Sequence, residues 1–165
     1  MHNPDGSVTL QLAAAGASWT VSSQGRLSGQ ANGKTVLQGG PDLMVLAINN
    51  CCQTQLPENM PPTTPFNAPC SNWKVSSVSA RTEGDLAVID VAGAFHEATG
   101  AFQLRADDAG TLQVAYNFTW TDAAVGPRQI GLVFYAPAAQ TYASWRRRGL
   151  FTTYPSTHIG RLVGE

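Results

Sequence analysis

The chain has 165 residues, of which 43% are hydrophobic and 13% are charged, and its formal net charge is -1. This length is sufficient to bury a hydrophobic core within one domain. The near balance of acidic and basic residues provides no broad positive field for a nucleic-acid partner, and no apolar run approaches the ~20 residues that a membrane crossing requires.

Short segments in which every second residue is apolar recur along the chain. The first spans Val8–Leu12, and the longest spans Leu112–Trp120. This alternation has the period of a strand that buries one face and exposes the other. In chain order, the other candidate strands are residues 19–21, 43–48, 73–75, 86–88, 102–104 and 130–134.

Turn-forming residues separate these candidates. Glycine, proline, asparagine and aspartate favour turns, and they cluster at residues 4–6, 24–25, 32–33, 39–41, 83–84, 107–110 and 126–127. Strands that recur about every ten residues without amphipathic helices between them are typical of a sandwich or barrel. We therefore predict an all-β fold, an antiparallel β-sandwich, in a single domain over residues 1–165.

A proline-rich segment interrupts the pattern. Residues 43–48 form a continuous apolar run, which predicts a strand covered on both faces. Residues 51–71 then contain five prolines and little apolar periodicity. Because proline cannot donate to a sheet ladder, no central strand is expected there. We predict a long surface loop that carries a function or contacts another domain of a parent protein.

Cysteine usage leaves two interpretations open. Cys51 and Cys52 are neighbours, and Cys70 follows the prolines. Because adjacent cysteines rarely bond each other, the feasible bridges are Cys51–Cys70 and Cys52–Cys70. Three free thiols in a reducing compartment are the alternative. The low charged fraction favours a periplasmic or secreted protein, in which such a bridge would persist.

The acidic residues do not suggest a catalytic pair. Most of them lie in predicted turns, where carboxylates usually accept local backbone hydrogen bonds. Asp90 is the exception, and we place it on the outward face of its strand. His96 and Glu97 are neighbours, so on a strand their side chains would point to opposite faces. The sequence predicts no catalytic residue, no cofactor and, because paired ligand spacings are missing, no metal site.

The densest group of aromatic and basic residues lies between residues 142 and 161. Aromatic rings stack on sugar faces, and guanidinium groups form forked hydrogen bonds with hydroxyls or carboxylates. The alternative is that these arginines pair with acids of this or an adjoining domain. The candidate carbohydrate contacts are Trp145, Arg147, Tyr154, His158 and Arg161.

Two stretches of this group, WRRRGL at 145–150 and YPSTHIGR at 154–161, carry a resemblance. They resemble the Trp-x-Arg-x-Gly and Tyr-Pro-x-x-His-Ile-Gly-Arg stretches in the C-terminal sandwich domain of glycoside hydrolase family two, the beta-galactosidase type. Looser similarity at residues 5–8, 19–21, 25–27, 40–43, 70–74 and 127–131 extends it over nearly the whole chain. Where relatives carry an acidic pair after Tyr-Pro, this sequence has Ser156 and Thr157.

The resemblance implies a large antiparallel super-sandwich, similar in shape to galactose mutarotase, packed beside a catalytic (β/α) barrel and other domains of a parent chain. In that family the catalytic glutamates belong to the barrel, so none is assigned to this chain. Our leading hypothesis is therefore a non-catalytic accessory domain that scaffolds the barrel and lines the sugar cleft. The alternatives are a free-standing carbohydrate-binding module and, on shape analogy alone, a mutarotase-like enzyme.

Overall fold

The structure, a computed structural model, describes residues 2–48, 68–123, 126–142, 144–146 and 163–164. In these ranges the regular secondary structure is strand apart from one 3-10 turn at Ala13–Ala15. The strands are β1 (Val8–Leu12), β2 (Ala17–Val21), β3 (Leu27–Ala31), β4 (Lys34–Leu37), β5 (Gly39–Ile48), β6 (Ala68–Pro69), β7 (Lys74–Glu83), β8 (Leu86–Ala94), β9 (Ala98–Ala106), β10 (Leu112–Trp120), β11 (Gly126–Tyr135), β12 (Trp145–Arg146) and β13 (Val163–Gly164).

The strands pair in antiparallel fashion. β1 to β4 form a four-stranded meander, and β7 to β10 form a second four-stranded meander. β5 lies between β11 and β6 in a three-stranded sheet, and β12 pairs with β13. The antiparallel β-sandwich predicted from the sequence is confirmed.

A single apolar cluster joins the three larger sheets. β1 shows the expected alternation, since Val8, Leu10 and Leu12 are buried and the residues between them are not. Burying each such side chain stabilises the fold by about 1.5–3 kcal/mol. The buried members from the β1–β4 sheet are Val8, Leu10, Leu12, Val21 and Leu27; Leu43 comes from β5; and β8 and β9 contribute Ile89, Val91, Ala98, Phe102, Leu104 and Ala106.

Four aromatic rings close one end of this core. Trp73 packs on Phe95 with a centroid distance of 4.7 Å, and Phe102 packs on Phe118 at 4.8 Å. The rings are tilted rather than parallel, which is the favoured geometry for aromatic pairs. This group ties the segment before β7 to β9 and β10.

The outer face of the β7–β10 sheet carries a polar network. Val88 is fully buried there, between its cross-strand neighbours Arg81 and Arg105. The aliphatic stems of such arginines can cover apolar surface while their charged ends reach water. Asp90 pairs with Arg81 and accepts a hydrogen bond from Gln103 at 2.7 Å, so its predicted outward position is confirmed.

Two predicted turns are wrong. Residues 39–41 begin β5 and residues 126–127 begin β11. Gly39 pairs with Tyr135, and Gly40 has a φ of 111° with the next peptide bond cis. A Cβ on Gly40 would lie 2.7 Å from the carbonyl oxygen of Val133, so glycine here permits close strand approach rather than a turn.

Most of the predicted proline-rich loop, residues 51–67, lies outside the described residues. Its end differs from the prediction, because Ala68–Pro69 forms β6 and pairs with Val45 and Met44. β6 is an edge strand, which is the position in a sheet that tolerates proline. No helix in the described part of the chain is long and apolar enough to cross a membrane.

Candidate functional site

The terminal group of candidate carbohydrate contacts is described only at its two ends. Trp145 pairs with Gly164, and Arg146 pairs with Val163, so the backbone brings these ends together. Arg146 is exposed. Of Trp145 only the backbone is described, and Arg147, Tyr154, His158 and Arg161 lie outside the described residues. Their role in carbohydrate contact stays a prediction.

A second cluster of ionisable groups lies where the sheets meet, and it surrounds Asp42. Asp42 is 8% exposed and is the one buried acidic or basic residue in the ranges that the structure describes. Its carboxylate forms an ion pair with the guanidinium of Arg26. Arg26 lies in the connection between β2 and β3, whereas Asp42 lies on β5, so this pair joins two sheets. A buried carboxylate requires such a partner because desolvation disfavours its charge.

Tyr135 is the third member of this cluster. Its hydroxyl donates a hydrogen bond to Asp42, and this bond raises the pKa of the phenol. The β11 strand has a bulge between Val133 and Tyr135, and bulges of this kind redirect side chains. Tyr135 is also 46% exposed, so the cluster extends from the protein interior to the surface.

Cys70 lies between this cluster and a second carboxylate, Glu97. Its backbone nitrogen donates to the carbonyl oxygen of Leu43 at 2.7 Å. As a free thiol, Cys70 has a pKa raised to about 11 by partial burial first, and then by the negative charges of Glu97 and Asp42. Because a thiolate is the nucleophilic form of cysteine, this thiol is a poor nucleophile at neutral pH.

Glu97 is held by Ser71. The backbone nitrogen and the hydroxyl of Ser71 each donate to Glu97 at 2.9 Å, one to each carboxylate oxygen. The backbone nitrogen of His96 donates to the carbonyl oxygen of Ser71 at 2.8 Å. These reciprocal bonds join the segment before β7 to the connection between β8 and β9. The carboxylate thus has a structural role in fixing two loops.

His96 and Glu97 form the bend between β8 and β9. The expectation that their side chains point to opposite faces applied only if they lay on a strand, so it does not apply here. Beside this bend is an open hollow of about 450 Å³, lined by Asn72, Trp73, Lys74, Ala94, Phe95 and His96. The polar atom of Trp73 is already engaged, because its indole nitrogen donates to the carbonyl oxygen of Gln24. The hollow is thus lined by Trp73 and Phe95, two members of the aromatic group that closes one end of the core, and by the exposed imidazole of His96.

Asp42 and Glu97, the two carboxylates of this region, do not form a bond-cleaving pair. Two-carboxylate glycoside cleavage requires one group free to donate a proton and another free to attack or to activate water. Asp42 is paired with Arg26, and both oxygens of Glu97 accept hydrogen bonds. Within the described ranges, no group of three or more His, Cys, Asp or Glu side chains converges as a metal site. The cluster can fix the sheets and hold a protonated thiol.

The Cys51 and Cys52 partners of the predicted bridges lie outside the described residues, so the disulfide stays a prediction.

No protein-family model matches the chain. No curated protein and no solved structure matches it either.

Sequence reasoning missed the cluster around Asp42. Arg26 and Tyr135 are far from Asp42 along the chain, and no spacing rule connects them. One signal was available: Asp42 directly precedes the apolar run 43–48. A carboxylate that enters a buried strand requires a cation or several donors.

Proposed function

We propose that this chain is a non-catalytic accessory β-sandwich domain of a glycoside hydrolase of the beta-galactosidase type. In this role it supports a catalytic barrel carried elsewhere in a parent polypeptide. The terminal WRRRGL and YPSTHIGR stretches supply the reason for this family. The antiparallel sandwich is the fold that such a domain requires.

The observation that carries the proposal is a set of large apolar side chains exposed on β11 and just after it. Ile130 is 43% exposed, Phe134 is 40%, Tyr135 is 46% and Tyr142 is 69%. Four such side chains within residues 130–142 concentrate exposed apolar surface in one stretch of the chain, which favours contact with another protein surface. A neighbouring domain of the parent chain would cover these side chains, as the scaffold role requires.

The first test measures the chain alone. We expect the purified chain to leave nitrophenyl glycosides intact, and hydrolysis at ordinary enzyme rates would contradict the non-catalytic role. The reading frame around this segment gives the second test: an adjoining catalytic barrel supports the proposal, and a reading frame that encodes this domain only contradicts it.

The third test uses the parent protein. Ile130→Ser should lower the melting temperature of the barrel by removing interdomain contacts. Val163→Ser is the matched control, since Val163 is also an exposed aliphatic side chain, at 52%, but lies on β13. Equal effects of the two substitutions on the barrel would contradict a docking role for β11.

A carbohydrate-binding module is the second candidate function. The observation that favours it is the β12–β13 pair, which brings the ends of the aromatic and arginine-rich segment together beside the exposed Arg146. This function requires saturable glycan binding that Trp145→Ala or Tyr154→Ala abolishes without unfolding. Tyr142→Ala is the control, because Tyr142 is an exposed aromatic outside the two motif stretches. Flat titrations across a glycan array would exclude this function.

A further inference from the structure

The β7–β10 sheet has two edges that differ in chemistry. β10 forms one edge, and among the described strands it pairs with β9 alone. Its nine residues, LQVAYNFTW, include no charged residue and no proline. β7 forms the other edge and carries Lys74, Arg81 and Glu83. Charges and prolines are the usual means of preventing edge-to-edge association, so β7 is protected and β10 is not.

The apolar side of β10 is only partly covered by the residues packed against it. Tyr116 lies opposite Phe102 on β9. Phe102 is 1% exposed, whereas Tyr116 is 43% exposed although it is in phase with the half-buried Val114 and Phe118. Among the described residues, no strand lies on the outer side of β10, so the outward backbone groups of its stretch from Leu112 to Thr119 have no ladder partner there, and the ring of Tyr116 is uncovered. A further strand beside β10 would form hydrogen bonds with these backbone groups and cover the ring of Tyr116.

We propose that β10 pairs with β10 of a second copy of this chain, antiparallel and around a twofold axis, to form one continuous eight-stranded sheet. A twofold pairing requires that a strand be complementary to a reversed copy of itself. β10 meets this requirement when Tyr116 lies on the twofold axis. With Tyr116 opposite its own copy, Val114 faces Phe118 and Leu112 faces Trp120. Aromatic pairs with aromatic or β-branched residues are among the favourable cross-strand pairs.

The other side of β10 is equally compatible with this register. There Ala115 would face Asn117, and Gln113 would face Thr119; all four residues are exposed and uncharged. No like-charge pair opposes the contact anywhere along the strand. This inference is independent of the proposed glycoside hydrolase role, because it uses only the edge of the β7–β10 sheet.

The register can be tested with two double variants at exposed positions. A115K/N117K places lysines directly opposite each other in the proposed pairing, and like charges in that position are destabilising. A115K/N117E places a lysine opposite a glutamate, which is favourable. S76K/S77K adds the same two positive charges to the exposed face and edge of β7 and serves as the charge control.

The measurement is sedimentation equilibrium of the full 165-residue chain with reductant present, so that intermolecular disulfides do not contribute. We expect the wild type and S76K/S77K to show a concentration-dependent species of twice the 17.5 kDa chain mass. A115K/N117K should remain monomeric, and A115K/N117E should dimerise with an affinity that falls as salt is raised. Circular dichroism melting confirms that each variant is folded.

A wild-type chain that stays monomeric up to its solubility limit overturns the proposal, whether another domain or another part of the chain covers this edge. Equal dimerisation of the two lysine-bearing β10 variants overturns it as well, because the pairing then does not depend on the register. Slowed amide hydrogen exchange in β10 with rising concentration, seen in the wild type and absent in A115K/N117K, supports it.

Discussion

The indole nitrogen of Trp73 lies 3.1 Å from the backbone oxygen of Gln24, to which it donates a hydrogen bond. Trp73 directly precedes β7, so this bond connects the β7–β10 sheet to the turn that precedes β3. Gly25 follows in the same turn with a φ of +69°, and a Cβ there would lie 2.7 Å from a methyl carbon of Val91. The turn is thus inserted against the opposite layer, with Trp73 as its anchor.

Substitution of Trp73 should separate the ring contribution from that of the hydrogen bond. Trp73→Ala removes the ring from the aromatic group and should lower the free energy of unfolding by about 3–5 kcal/mol. Trp73→Phe keeps much of the ring and loses the donor, which should cost about 1 kcal/mol. Urea unfolding monitored by circular dichroism measures both. Equal losses in the two variants would contradict the packing role.

The ion pair of Asp42 with Arg26 should stabilise the junction of the sheets. Asp42→Asn leaves the guanidinium without its charged partner and should lower the free energy of unfolding by about 1–3 kcal/mol. The Arg26 side chain is 41% exposed, against 12% for Asp42, so water compensates part of the loss. Arg26→Gln and the double variant complete a thermodynamic cycle. Strictly additive losses would show that the two side chains are not coupled.

The pH dependence of Tyr135 follows from the same carboxylate. The hydrogen bond to Asp42 and the negative charge of Asp42 raise the pKa of the phenol above its ordinary value. Stability from this bond is therefore complete below the ordinary pKa of about 10 and is lost as pH rises through the raised pKa. Ultraviolet titration of wild type minus Tyr135→Phe isolates this residue. In Asp42→Asn its titration should move to lower pH.

Local patterns were sufficient for elements whose determinants are local. The alternation in β1 predicted its buried face, and the turn acid Asp5 accepts hydrogen bonds from Ser7 at 2.6 and 2.9 Å, as turn chemistry predicts. β5 was shortened in the prediction because Gly39 and Gly40 carry a turn signal. Their strand conformation depends on pairing with β11, which is distant in sequence.

The candidate sites differ in the same way. The terminal aromatic and arginine residues form a compact sequence motif, so sequence reasoning could propose them as contacts, and that role stays a prediction. The Asp42 cluster is assembled by sheet packing from three separate elements. Its members have no shared motif. The position of Asp42 before the apolar run 43–48 indicated a buried charge, but its partners became apparent only when the sheets were in place.

Cys70 should react slowly with iodoacetamide in the folded chain. A pKa of about 11, against about 9 for an ordinary thiol, lowers the thiolate fraction at pH 8 by about a hundredfold; the greater nucleophilicity of the more basic thiolate offsets about tenfold. We therefore expect alkylation about tenfold slower than in the urea-unfolded chain, measured by peptide mapping after reduction. Glu97→Gln should accelerate it. Equal folded and unfolded rates would contradict this environment.

The Cys52–Cys70 disulfide has a direct test of its own. Peptide mapping without reduction should recover the bridge if the chain matures in an oxidising compartment, with Cys51–Cys70 as the alternative pairing. Loss of the bridge should then cost about 2–4 kcal/mol of stability. Equal melting temperatures with and without reductant would argue against any bridge.

Gly100 and Gly131 provide a matched test of strand packing. A Cβ on Gly100 would lie 2.0 Å from the backbone oxygen of Asn117 and 2.7 Å from the Cα of Phe118. Backbone atoms of a paired strand cannot move aside cheaply, so Gly100→Ala should destabilise the fold by about 1–3 kcal/mol or more. A Cβ on Gly131 meets no atom of the described residues within 4 Å, and its backbone lies outside the glycine-favouring region. Gly131→Ala should therefore be neutral or stabilise by up to about 1 kcal/mol. Thermal unfolding measures both, and comparable losses would show that the close approach of β9 and β10 at Gly100 is not maintained in solution.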